Sequence, residues 1–140
     1  QPLLDYRMFC FQGVLKLVMV NKGTATSEGE HASGVQRSFY TPDFQWIPDI
    51  TIMGDSPSPM ALEKPLGWDE MVSAAQILSK PFAFCRVDLY FIDGKVYLSE
   101  MTFFPNSGVN RFQPQEWALR LGEWVDLDRC ISNPVYQYME

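Results

Sequence analysis

The chain has 140 residues, the size of one domain, with 46% apolar and 20% charged side chains. That balance excludes a disordered chain and lets a core form without disulfide or metal staples. With 11 Lys and Arg against 17 Asp and Glu, the net charge of −6 disfavours general nucleic-acid binding, because phosphate backbones repel such a surface.

No apolar run approaches the roughly 20 residues that span a bilayer, so no membrane span is expected. Cys10, Cys85 and Cys130 are far apart and lack metal-ligand spacing; they read as reduced, buried thiols of a cytoplasmic protein. The first residue is Gln1 and no basic-then-apolar leader follows, which reads as a piece cut from a longer protein.

In chain order, residues 5–20 predict a β-hairpin turning at Gln12-Gly13, since strand formers flank that turn signal. Asn21 to Gly34 is polar and patternless and reads as a loop; Val35 to Tyr40 reads as a short strand. Prolines at 42, 48, 57, 59 and 65 preclude a long element between Thr41 and Pro65. A helix is predicted from Trp68, with Gly67 as N-cap and Asp69 and Glu70 at the positive end of its dipole. Met71, Ala74, Ala75 and Leu78 give it one apolar face, and Lys80-Pro81 stops it. Phe84–Phe91 and Val96–Thr102 read as strands joined at Asp93-Gly94, and residues 103–108 as a loop. Pro114 then opens a last helix striped with Trp117, Leu121, Trp124 and Val125. Hairpins and helices without βαβ alternation argue for an α+β fold, an antiparallel sheet with packed helices.

The chemistry concentrates in the second hairpin. Strand alternation places Arg86, Asp88 and Tyr90 on one face and the apolar Cys85, Val87, Leu89 and Phe91 on the other. Glu100 adds a second carboxylate across the turn. Two carboxylates on adjacent strands suit Mg²⁺, which completes its shell with water and substrate phosphates. An arginine on the same face supplies a fork for phosphate oxygens. The same pattern is also that of a solvated face with weak ion pairs. Register separates the two readings. A two-residue turn at Asp93-Gly94 pairs Asp88 with Ser99, so sharing a face with Glu100 requires an odd loop or a bulge, which Gly94 permits.

Other polar or aromatic residues read as structure. His31 lies in the polar loop without a partner. Asp5 orients Arg7. Asn106 and Ser107 suit a turn as well as a phosphate contact. Tyr40, Phe44 and Trp46 form either a stacking surface or packing anchors, and Cys85 is inert on the core face.

The run Asp5-Tyr6-Arg7, Phe11-x-Gly13, Asp69-Glu70-Met71, Ala75, Leu78-Ser79, Phe82-x-Phe84, Arg86-Val87-Asp88, Glu100-x-Thr102-Phe103, Glu116-Trp117 and Leu121-Gly122 resembles the TupA-like ATP-grasp family. That family is associated with teichuronopeptide and other surface-polysaccharide synthesis in bacteria. The resemblance covers nearly the whole chain and implies the C-terminal, metal-bearing part of an ATP-grasp fold, with the first part of the ATP clamp lying before it. It implies a carboxylate–amine ligase working through an acyl phosphate, with ATP and Mg²⁺ as cofactors. Asp88 and Glu100 match metal ligands, and Thr102 stands where many members have a metal-binding Asn. Arg86 and Arg7 match basic residues at the transferred phosphate and acyl group, and Lys22 lies near a second basic position. On its own the chain is expected to fold but bind ATP poorly. Its expected partners are a nucleotide, a small carboxylate and an amine or polymer substrate, with self-association open through an uncovered edge or face. Two rival readings are a non-catalytic remnant acting as a binding module and a metal-dependent glycosyltransferase. The absence of an Asp-x-Asp pair argues against the second.

Overall fold

In a computed structural model, residues 3–23, 36–55, 61–105 and 111–128 are described. His31, Asn106, Ser107, Cys130 and most of the predicted loop from Asn21 to Gly34 lie outside them.

Two hairpins form the centre of the sheet. Strands β1 (Leu4–Phe11) and β2 (Val14–Lys22) turn at Gln12 and Gly13, with φ of 52° and 78°. Strands β6 (Cys85–Ile92) and β7 (Lys95–Thr102) turn at Asp93 and Gly94, with φ of 50° and 75°. Two successive positive φ values match the right-handed twist of the flanking strands, so both turns close tightly. Strand β3 (Gln36–Tyr40) and the two-residue β4 (Trp46–Ile47) complete an antiparallel sheet of order β4-β3-β2-β1-β6-β7. β5 (Thr51–Ile52) and β8 (Phe112–Gln113) form a separate two-stranded ribbon, so among the described residues the proline-rich stretch holds only two-residue strands.

Helix α1 (Trp68–Ser79) covers one sheet face. Trp68, Met71 and Ala75 pack on Tyr6, Met8, Cys10, Val18, Val20, Val87 and Leu89. Its Gly67 N-cap makes no side-chain cap bond; glycine stands there because a Cβ would lie 2.2 Å from the Phe91 ring. Helix α2 (Gln115–Glu123) and the β5-β8 ribbon cover half of the opposite face. There Trp117, Leu121, Trp124 and Phe112 meet Phe9, Phe11, Leu17, Met19 and Phe39. A bulge makes this two-sided burial possible: Phe9 pairs with Leu17 but Cys10 with Leu15, so Lys16 is the extra residue. Leu15 and Leu17 thereby enter cores on opposite sides of the sheet. Among the described residues, antiparallel strands with one helix on each face make the α+β arrangement expected from the pattern. Among the described residues no helix is long and apolar enough to cross a membrane.

Three local readings change. The β2 strand runs through Asn21 and Lys22, so the predicted loop begins later. Pro114 stands just before α2 as its N-cap rather than inside its first turn. Tyr40 and Phe44 do stack, with ring centroids 4.3 Å apart, but both are buried under α1 and offer no open stacking surface.

Candidate active site

The face that α2 half covers is divided. Its apolar end is filled by Phe9, Phe11 and their neighbours, and its other end is polar. Arg7 lies directly across from Asp88, and Asp88 directly across from Glu100; one step along β6, Arg86 lies across from Thr102. Glu100 and Thr102 join the face of Arg7, Arg86 and Asp88 only because β7 bulges. Leu89 pairs with Leu98, whereas Asp88 pairs with Glu100, leaving Ser99 as the extra residue. The register that joint metal binding requires is therefore present, and the bulge sits within β7 rather than at Gly94. Without it Glu100 would join Val87 on the α1 face.

Arg86 and Asp88 form the tightest pair of the cluster. Arg86 Nε donates to Asp88 Oδ1 at 2.7 Å and Nη2 to Oδ2 at 2.6 Å, while both residues are nearly inaccessible to solvent. Such a fork-to-carboxylate match gives geometric definition as well as attraction. Burial pushes the Asp88 carboxyl up from the usual carboxylate range. The Arg86 hydrogen bonds and charge, and the charge of Arg7, pull it down, and Asp5 adds to the rise. Arg86 Nη2 also donates to Thr102 Oγ1 at 3.3 Å and lies 3.7 Å from Glu100 Oε2. Arg7 Nε donates to Asp5 Oδ2 at 2.7 Å, so Asp5 orients this arginine, and the same nitrogen lies 3.8 Å from Asp88 Oδ2. Glu100, with a 61% exposed side chain, is the open member of the group.

Arg7, Arg86, Asp88, Glu100 and Thr102 are thus brought together, with Tyr90 two residues along the same face of β6. Lys22 is not. It follows Val18 and Val20 on the α1 face and lines a cleft with Leu4, Tyr6, Leu62 and Phe91. Cys85 also faces α1; burial first, then the nearby Asp88 charge, pushes its thiol up to about 11. Cys10, beside it across the strands, is pushed by burial up to about 12.

Two residues on the polar face escaped the sequence reading. Asn21 is wholly buried directly across from Asp5, and Arg37 lies directly across from Asn21 and pairs with Asp55. Asn21 Oδ1 and Nδ2, Asp5 Oδ1 and Arg37 Nε are buried without hydrogen-bond partners. Each such atom costs about 1–3 kcal/mol of desolvation. A signal was available: Leu17, Met19 and Asn21 keep the two-residue period, and so do Arg37 and Phe39.

The donor set fits a hard cation of the Mg²⁺ kind. Both candidate ligands are carboxylates, and Mg²⁺ is ordinarily held by one or two carboxylates plus phosphates and water. Each carboxylate oxygen has two lone-pair positions, so Asp88 can accept from Arg86 and still offer oxygen to a metal. Among the described residues no three His, Cys, Asp or Glu side chains group as a self-sufficient metal cage. Carboxylates and arginines thus alternate across the polar end of this antiparallel sheet face. The family model described as TupA-like ATPgrasp matches residues 1–126, and the chain belongs to that family. No curated protein and no solved structure matches it.

Proposed function

We propose that this chain is the metal-bearing C-terminal part of a carboxylate–amine ligase of the ATP-grasp type. The observation that carries the reading is the β7 bulge, which places Glu100 directly across from Asp88 beside two arginines.

In the proposed reaction a substrate carboxylate oxygen attacks the γ-phosphorus of ATP and ADP leaves, giving an acyl phosphate. The neutral amine nitrogen then attacks the acyl carbon, inorganic phosphate leaves, and the nitrogen loses one proton to solvent as the amide forms. Mg²⁺ held by Asp88 and Glu100, with the Thr102 hydroxyl nearby, would neutralise charge on the phosphates. Arg86, fixed by its fork on Asp88 and nearly inaccessible itself, would lend its positive charge to the phosphoryl oxygens from beneath them. Arg7, held by Asp5, sits across from Asp88 to steady the transferred phosphoryl or the acyl oxygen. Lys22, on the opposite face, has no part in this scheme. Family membership supports a role in making a surface polysaccharide or peptide-bearing polymer.

The test is calorimetric titration of the full-length protein with ATP, with and without Mg²⁺. Saturable binding that needs Mg²⁺ and is lost in Glu100→Gln is the expected result. Binding indifferent to both Mg²⁺ and Glu100 would overturn the metal assignment. Capture of the acyl phosphate by hydroxylamine, read as hydroxamate over a panel of carboxylates, tests the ligase chemistry itself.

A further inference from the structure

Two residues along β1 from Arg7 lies a second polar row that the metal and nucleotide leave unused. Asp5 on β1, Asn21 on β2 and Arg37 on β3 stand side by side across three strands on the same sheet face. Their committed atoms hold them in place: Asp5 Oδ2 accepts from Arg7, and Arg37 Nη1 donates to Asp55 Oδ2. The remaining polar atoms are buried and unbonded. Asn21, at 0% exposure between a carboxylate and a guanidinium, bonds to neither through its side chain. A row serving only to join three strands would close on itself, amide to carboxylate and guanidinium to amide.

The unbonded atoms are two acceptors, Asp5 Oδ1 and Asn21 Oδ1, and two donors, Asn21 Nδ2 and Arg37 Nε. Acceptors call for an ammonium, and donors call for a carboxylate. The charges already balance, Asp5 against Arg7 and Arg37 against Asp55, so the row suits a neutral zwitterion better than a free anion or cation. A two-residue step along a strand is about 7 Å, which sets this row one small molecule away from the Arg7–Asp88–Glu100 row.

We infer that Asp5, Asn21 and Arg37 form the amine-substrate subsite, which binds the ammonium and carboxylate headgroup of an amino acid. The inference rests on the ligase reading for its chemistry but not for its binding test. Asn21→Leu keeps the side-chain size and removes the amide, and Asn21→Ala provides a second variant should the first not fold. Thermal melts are recorded for each protein with each of the common amino acids at millimolar concentration. At least one amino acid should raise the melting temperature of the unaltered protein and fail to raise that of the variant. The ligand-free Asn21→Leu protein should melt no lower than the unaltered one, since the unsatisfied amide is gone. In turnover, KM for that amino acid should rise about tenfold, as for loss of one charge-assisted hydrogen bond, with hydroxylamine capture unchanged. A panel that shifts nothing, a shift that survives in the variants, or a ligand-free Asn21→Leu protein that melts several degrees lower would each overturn the subsite. Hydroxamate formation involves no amino acid, so its failure in the unaltered protein counts against the ligase reading and leaves the binding result standing.

Discussion

Asp88→Asn and Glu100→Gln each remove one negative charge from the same cross-strand pair, yet their effects on stability should differ. Asp88 is 2% exposed and holds Arg86, itself 5% exposed, through both carboxylate oxygens. With an amide in its place, one N–H of Arg86 faces an NH₂ group. The guanidinium then keeps the amide oxygen, Thr102 and the more distant Glu100. Breaking a buried ion pair costs about 3–5 kcal/mol, and the surviving partners bring this to about 2–3 kcal/mol. With roughly 2.1 cal/mol/K of unfolding entropy per residue, a chain of 140 residues loses roughly 7–10 °C of Tm. Glu100 belongs to an exposed pair, so its replacement should stay within about 0.5 kcal/mol, or about 2 °C. Differential scanning calorimetry of the two variants reads this directly, and ATP titration with Mg²⁺ should show weakened binding in both. An Asp88→Asn protein melting with the unaltered one would refute the claim that the Arg86–Asp88 pair is held together inside the sheet.

Three further outcomes follow from the packing and the faces. Met71→Ala, at a position with no solvent exposure, should cost about 2–5 kcal/mol by urea denaturation. Ile77→Ala, on the outer side of the same helix at 69% exposure, should cost under about 0.5 kcal/mol. Burial holds the Cys10 thiol at about 12 and the Cys85 thiol at about 11, so at pH 8 both stay protonated. Two thiol equivalents should therefore resist a disulfide reagent in the native protein and react at once in denaturant; rapid native labelling of either would contradict their burial. Lys22→Ala should leave Mg²⁺-dependent ATP affinity unchanged in calorimetry, since its side chain lies across the sheet from Asp88; a tenfold loss would return it to the site.

What the sequence determined by itself was local. Apolar alternation drew both hairpins, Gln12-Gly13 and Asp93-Gly94 supplied the positive-φ turns, and the Met71–Ala75 face set α1 on the sheet. The pairing of Arg86 with Asp88, two residues apart on one strand face, was legible for the same reason: side chains in a strand alternate with a period of two. Tertiary structure decided the rest, because a bulge is a property of two strands and of what each face must bury. Which residue of Leu98-Ser99-Glu100 is extra depends on holding Met101 against the α1 core while Glu100 reaches Asp88, and neither partner is a sequence neighbour. Asn21 was misread because a single polar residue after an apolar run has no local mark of burial. Only the pairing of β2 between β1 and β3 sets it between Asp5 and Arg37. Lys22, one residue further, falls to the opposite face by the same alternation, once β2 is known to extend that far.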